Sequence, residues 1–411
     1  MARPTRRRRL PPGGAGRLAP LSARPALFTR PFLLLLGGQL LQALGYSSMI
    51  LLPLLLSALG ATRAQIGLYM TGIPALVGLL SRPLVGWALD RLGRRPTLIA
   101  GTLLLVLGME LLFPVRELGA VLVLARVAYG LGVALLGTAY FTWAADLVPL
   151  ARRTEGLALF GIAGLLPLAL NPLVGGLGIS GQDLGLYFPA VGLVIACSLL
   201  LVARLPEPAR EPAPPLTPRA LLTALGARPL LPVWLATAAF ASLVAGFMSF
   251  ATVAAAARGV PRPAELWFTY AGGAIAVRLL GAWIPDRVGP ANLVAPALSS
   301  YCAAFLVAAR ADDAGGFLLA GLLAGVGHGY CFPVLAGQVV SRTPPGLRGS
   351  ALSAFWAPWF LAELVVAPAL GRLADATHDG FMLTVAACAA AACLVPWAAL
   401  EHALGPARAG T

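Results

Sequence analysis

The sequence predicts an all-α integral membrane protein of twelve transmembrane helices in two six-helix bundles. Three observations carry that prediction: composition, the spacing of apolar stretches, and an internal repeat. Apolar residues make up 59% of the 411 residues and charged residues 11%, against about 45–50% and about 25% in soluble domains. Mean hydropathy is +0.84. No water-soluble fold hides that much apolar surface, so a soluble enzyme, a disordered chain and a nucleic-acid-binding domain are excluded.

From residue 31 the chain is a series of apolar stretches, each near the ~20 residues that cross hydrocarbon as a helix. The twelve, named spans 1 to 12 in order, are 31–56, 65–88, 97–114, 118–145, 156–179, 185–204, 229–257, 264–284, 291–310, 315–340, 349–371 and 380–400. They must be helices, because an open sheet edge leaves its backbone unsatisfied in lipid. The ~10-residue alternating segments of a membrane barrel are absent. Residues 1–30 are polar and Pro- and Arg-rich and read as a disordered basic tail; no apolar core of a signal peptide follows the arginine run at 6–9. Residues 31–204 form the first bundle and 229–400 the second. The Pro-rich, charged stretch 205–228 reads as a linker and 401–411 as a second tail.

Orientation follows from arginine, the sole basic residue besides three histidines. With the N-terminus in the cytoplasm, 21 arginines fall on cytoplasmic segments, 6 on outer loops and 3 within spans. Without the N-terminal tail the bias is still 13 to 6. Both termini are therefore expected on the cytoplasmic side of the inner or plasma membrane. The five cysteines (Cys197, Cys302, Cys331, Cys388, Cys393) form no CxxC and no Cys/His cluster. No metal site, cofactor or disulfide framework is expected.

The halves match at an offset of 195–196 residues. Arg82, Trp87, Asp90, Arg91 and Gly93 at the end of span 2 recur as Arg278, Trp283, Asp286, Arg287 and Gly289 at the end of span 8. Gly130 and Gly132 recur as Gly325 and Gly327, and Pro172 and Gly175 as Pro368 and Gly371. An even number of spans per unit gives both units one orientation. The halves are then related by an axis along the membrane normal, as in transporters that rock about a central site.

On these residues the sequence resembles the major facilitator superfamily over essentially 31–400. Gly86, Asp90, Arg91, Gly93, Arg94 and Arg95 look like its motif A, between spans 2 and 3. Arg126, Tyr129, Gly130, Gly132 and Ala134 are similar to its motif B in span 4. Asn171, Pro172, Gly175 and Gly176 partly match the antiporter motif C in span 5, with Asn171 where the family pattern has glycine. The resemblance implies alternating access, with spans 1, 4, 7 and 10 lining the pathway. It also implies that the motif A cluster steadies the outward-open state. Gly86 would admit a close helix, Asp90 would face a helix N-terminus, and Asp146 is the expected partner of Arg91. Asp286 and Arg287 are the repeat's counterparts. The plainer reading is that these arginines only fix topology.

Arg126 and Glu363 carry the functional expectation. An ionisable group inside a span costs ~2.5–3.5 kcal/mol on insertion scales, so it is usually paired and functional. Both lie about 12 Å, eight helical residues, from the same surface. Glu363 is expected to carry a proton and Arg126 to tune its proton affinity; a static structural pair is the alternative. Arg82 and Arg278 are expected to snorkel to the cytoplasmic surface, with a bond to the opposite half as the alternative. Gln39, Gln42 and Tyr46 form a polar stripe on span 1, expected to face a cavity. His328 is a candidate proton relay or a hydrogen-bonded packing residue. Gln338 is a weaker cavity candidate.

No Walker motif is present, so ATP drive is not expected. The sequence points to proton-coupled export of a small organic or amphipathic molecule by a monomer, with protons and the lipid bilayer as its other partners. Uptake by symport or facilitated diffusion is the alternative.

Overall fold

The computed structural model describes residues 26–149, 153–170, 183–207, 218–281, 283–344 and 347–405. The motif C-like residues Asn171, Pro172, Gly175 and Gly176 lie outside the described residues, as do the tail up to residue 25 and the side chains of Asp90 and Asp286. Among the described residues there is helix and no strand. Eight helices are long and apolar enough to cross a membrane alone. They are span 1 (Arg30–Ala58), span 4 (Ala120–Leu147), span 6 (Leu184–Val202), span 7 (Arg228–Ala257), span 9 (Pro290–Arg310), span 10 (Ala314–Ser341), span 11 (Ala351–Ala376) and span 12 (Asp379–Leu404). Span 2 is a bent pair, Arg63–Leu80 and Arg82–Leu89. Spans 3, 5 and 8 are the shorter helices Arg94–Glu110, Arg153–Leu170 and Leu266–Leu280. The expected linker contains one further helix, Pro218–Leu225, whose Leu225 carbonyl accepts a bond from Trp234 Nε1 at 3.1 Å.

Prolines set the irregularities. Pro53 follows a 3-10 turn at Met49–Leu51 in span 1. In span 2 a capping box of Thr62 and Gln65 starts the helix. A π-turn at Leu68–Gly72 comes next, just before Pro74. Span 2 then bends by 55° at Ser81, ahead of Pro83, because proline lacks the N–H and crowds the preceding carbonyls.

The repeat governs packing. A Cβ on Gly130 would stand 2.9 Å from Pro74 of span 2, and one on Gly132 would stand 2.7 Å from the Leu105 nitrogen of span 3. In the second half, Gly325 meets Tyr270 of span 8 and a Cβ on Gly327 would stand 2.7 Å from the Ala297 carbonyl of span 9. Each glycine pair lets one helix press onto the same two neighbours in its own half. Gly93 and Gly289 both precede a helix at positive φ, 102° and 89°, where a side chain is strained. Trp87 and Trp283 are both exposed, as interfacial anchors are.

The face on which span 1 begins, at Arg30, and span 12 ends, at Leu404, is called the terminal face, and the opposite face distal. The halves join distally. The Arg63 guanidinium donates to both oxygens of Asp379 at 2.8 and 2.9 Å, and the N–H groups of Arg63 and Ala64 donate to Asp375 at 2.7 and 2.8 Å. Gly67 packs so closely that a Cβ would lie 2.5 Å from the Ala367 carbonyl, and Gly371 presses on the Arg63 backbone. Spans 2 and 11 thus seal this end, and Thr252 of span 7 donates to Ile50 of span 1 at 3.4 Å.

Candidate functional site

Arg126 is 1% exposed in the middle of the first half. Its partners are backbone groups of span 2. Nε donates to the Tyr69 carbonyl at 2.7 Å and an Nη to the Met70 carbonyl at 2.9 Å. The other Nη points at Met49 sulfur, 3.0 Å away, and the guanidinium stacks 4.2 Å from the Tyr129 ring centroid. Two features of span 2 free those carbonyls. In the π-turn the Ile73 N–H bonds to Leu68 instead of Tyr69. Pro74 has no N–H for Met70. The sequence reading placed Arg126 opposite Glu363 and did not foresee Tyr69 and Met70. The available signal was Pro74 within an apolar span, since a proline there leaves a carbonyl that some donor must satisfy.

Glu363 is half-buried in span 11. Its carboxylate accepts from Trp359 Nε1 at 2.9 Å, and its backbone carbonyl accepts from Thr71 of span 2 at 3.3 Å. Among the described residues no ion pair joins it to Arg126.

Arg82 and Arg278 do not snorkel as expected. The span 2 bend turns Arg82 inward, over Phe360 (4.8 Å) and Trp356 (5.6 Å) of the opposite half, with an Nη 3.4 Å from Thr138. Arg278 reaches across the other way: an Nη lies 3.4 Å from where a Cβ of Gly161 in span 5 would stand. Its Nε is 3.5 Å from the Gly329 carbonyl, and Tyr46 and Tyr270 lie within its electrostatic range. Aromatic rings favour an apposed guanidinium, which offsets the lost hydration. Rings connect the two sites. Trp356 contacts Phe332 at 6.0 Å, Phe332 stacks on His328 at 6.4 Å, and His328 Nδ1 bonds the Tyr270 hydroxyl at 2.7 Å.

The polar stripe on span 1 packs on span 5 and does not open onto a cavity. Tyr46 donates to the Gly164 carbonyl at 2.8 Å, and Gln39 and Gln42 are buried. Small Gly164 admits that approach. Gln39 Oε1 is buried without a hydrogen-bond partner. Gln338 is not central either. It accepts from Arg342, which pairs with Glu401 near the terminal face.

The motif A cluster stands at the terminal face of the first half. Asp146 pairs with Arg94, at 3.1 Å, and not with Arg91 as expected. Gly93 turns the chain so that the N–H groups of Arg94 and Arg95 open span 3, and Glu207 accepts both at 2.6 and 2.8 Å. A carboxylate at a helix N-terminus offsets its positive end. Glu207 was not foreseen; it is an acid placed just past span 6, where a helix start needs capping. Apart from the backbone of its own helix and its chain neighbours, no atom of the described residues lies within 4 Å of where a Cβ of Gly86 would stand. The ion pairs described on this face each stay within one half, whereas on the distal face Arg63–Asp379 joins the halves and Arg262–Glu265 stays within the second. No group of three or more metal-ligating side chains occurs among the described residues.

Residues 34–362 match the family model of the Major Facilitator Superfamily. An uncharacterized MFS-type transporter of Burkholderia mallei is 30% identical over 326 residues, 76% of this chain and 78% of that one. One of Salmonella typhimurium is 30% identical over 357 residues, 81% and 85% of the two chains. Among solved structures, a POT family transporter in complex with a thioalcohol-conjugated peptide superposes with a TM-score of 0.78 at 12% identity, over 92% of this chain and 97% of that one. A human organic anion transporter superposes with a TM-score of 0.67 at 19% identity, over 92% and 100%.

Proposed function

The chain belongs to the Major Facilitator Superfamily, and from that premise we propose that it exports a small organic molecule in exchange for protons, with Glu363 as the proton carrier. That it is a multi-pass secondary transporter and not an enzyme follows from the family. The exchange mechanism is our reading.

The observation that supports it is the contrast between Arg126 and Glu363. Arg126 is tied to backbone carbonyls, so its charge is a fixture. The Glu363 carboxylate accepts one hydrogen bond among the described residues, from Trp359 of its own helix, and its backbone is held by Thr71 where spans 2 and 11 meet. A carboxylate there gains or loses water when the halves rock, and its proton affinity changes with that water. Asp146, Arg94 and Glu207 hold the terminal end of the first half, and motif A is read as steadying the outward-open state, in which that end is closed. The protein is read as a monomer of the inner membrane with cytoplasmic termini.

Proton flux in everted vesicles tests this. One compound should discharge the pH gradient in wild type and fail to do so in Glu363→Gln, while the variant still exchanges that compound. Equal discharge by both proteins removes Glu363 from the mechanism. Substrate movement that never moves protons replaces exchange with facilitated diffusion, and co-movement in the same direction replaces it with symport.

A further inference from the structure

We propose that the substrate is an organic anion, an acidic head on an apolar body. Arg82 and Arg278 would take the head and the row of rings between them the body. This rests on the reading that the interface between the halves is the substrate pathway.

The two arginines are repeat-related, 196 residues apart, and each faces the opposite half. Among the described residues neither is in an ion pair. Their hydrogen bonds are long, 3.4 Å for Arg82 and 3.5 Å for Arg278, near the limit of a real bond. Arg82 Nε is buried with no partner. A guanidinium carries five donors, so both have donors to spare. Arg126 differs, because carbonyls and a sulfur occupy it. Among the described residues, Glu363 and Glu110 are the acids set within the spans near these arginines, two carboxylates against three positive charges. A membrane interior tolerates such an excess poorly, and an arriving anion removes it. A cation would enlarge it.

The rings define the rest of the molecule. Trp356, Phe332 and His328 are half-buried, so part of each ring surface is left uncovered by the protein. Phe240 backs them, with centroids 5.2 Å from His328 and 5.4 Å from Trp359. His328 brings no negative charge to offset the arginines; its Nδ1 hydrogen-bonds the Tyr270 hydroxyl at 2.7 Å. Apolar walls with few convergent polar groups suit a small amphipathic ligand. An inside-negative potential drives such an anion outward, by ~2.3 kcal/mol per charge per 100 mV, in the exported direction.

Counterflow in proteoliposomes at equal pH on both sides reads the substrate class alone, independent of proton coupling. Aromatic and branched carboxylates, their methyl esters, and matched amines are the probes. Wild type should exchange an acid and ignore its ester and amine. Arg82→Gln and Arg278→Gln should each lower that exchange by about tenfold or more, the size of one charge-assisted contact, and Arg→Lys at either site should restore part of it. Quenching of tryptophan fluorescence by acid but not ester gives the same answer without any variant. Preference for esters or amines overturns the proposal, and so does unchanged acid exchange in both Gln variants. Acid exchange that ignores an imposed pH gradient leaves this proposal standing and defeats the proton-exchange reading instead.

Discussion

The same helix crossing is built in two ways in the two halves. In the repeat, Pro74 and Met70 of span 2 correspond to Tyr270 and Leu266 of span 8, and Arg126 of span 4 to Gly321 of span 10. In the second half the helix Leu266–Leu280 is unbroken, and Gly321 presses against the Leu266 carbonyl so closely that a Cβ has no room. In the first half Pro74 and the π-turn open the ladder, and Arg126 fills the opening. A broken helix with an arginine and a whole helix with a glycine are alternative solutions to one packing problem. At this crossing the first half therefore carries a buried guanidinium that its counterpart in the second half lacks.

Four substitutions break or sharpen that comparison. Arg126→Met leaves two buried carbonyls bare at several kcal/mol each in a lipid interior; transport should vanish and the melting temperature in detergent should fall steeply. Retention of both would mean that the arginine is dispensable to span 2. Gly321→Ala overpacks the other crossing, with a loss of about 1–3 kcal/mol, read as a smaller drop in melting temperature. Adding Pro74→Ala to Arg126→Met should recover part of the lost stability, since residue 74 then donates to Met70, while leaving transport lost. A double-mutant cycle without coupling would separate Pro74 from Arg126. Arg63→Gln should change stability least, by about 0.2–1 kcal/mol for a partly exposed pair. Its effect should appear as faster labelling of a cysteine placed at the distal end of span 11, as the closed face opens more often.

The spans were legible because hydropathy and length are dictated by lipid, and the predicted ends fall within a few residues of most of the helices. The repeat was legible because glycines at close crossings have no substitute: Gly130, Gly132, Gly325 and Gly327 all make the contacts that their spacing implies. Partners were less legible. A charged residue in a span demands compensation, and sequence offers only the opposite charge as a candidate, hence Glu363 for Arg126. Backbone carbonyls serve as well, and they have no residue letter. The bend at Ser81 likewise turned Arg82 from the membrane surface to the aromatic rings of the other half, a change of direction that straight-helix geometry does not contain.

The opening in span 2 also bears on how the chain is made. Span 2 leaves the ribosome before span 4, so for an interval the Tyr69 and Met70 carbonyls exist without the arginine that later binds them. Span 4 in turn carries a bare guanidinium until it finds them. Each is poorly suited to lipid alone and well suited together. The order of synthesis therefore favours holding span 2 at the insertion machinery until span 4 emerges, so that three helices enter the bilayer as one unit.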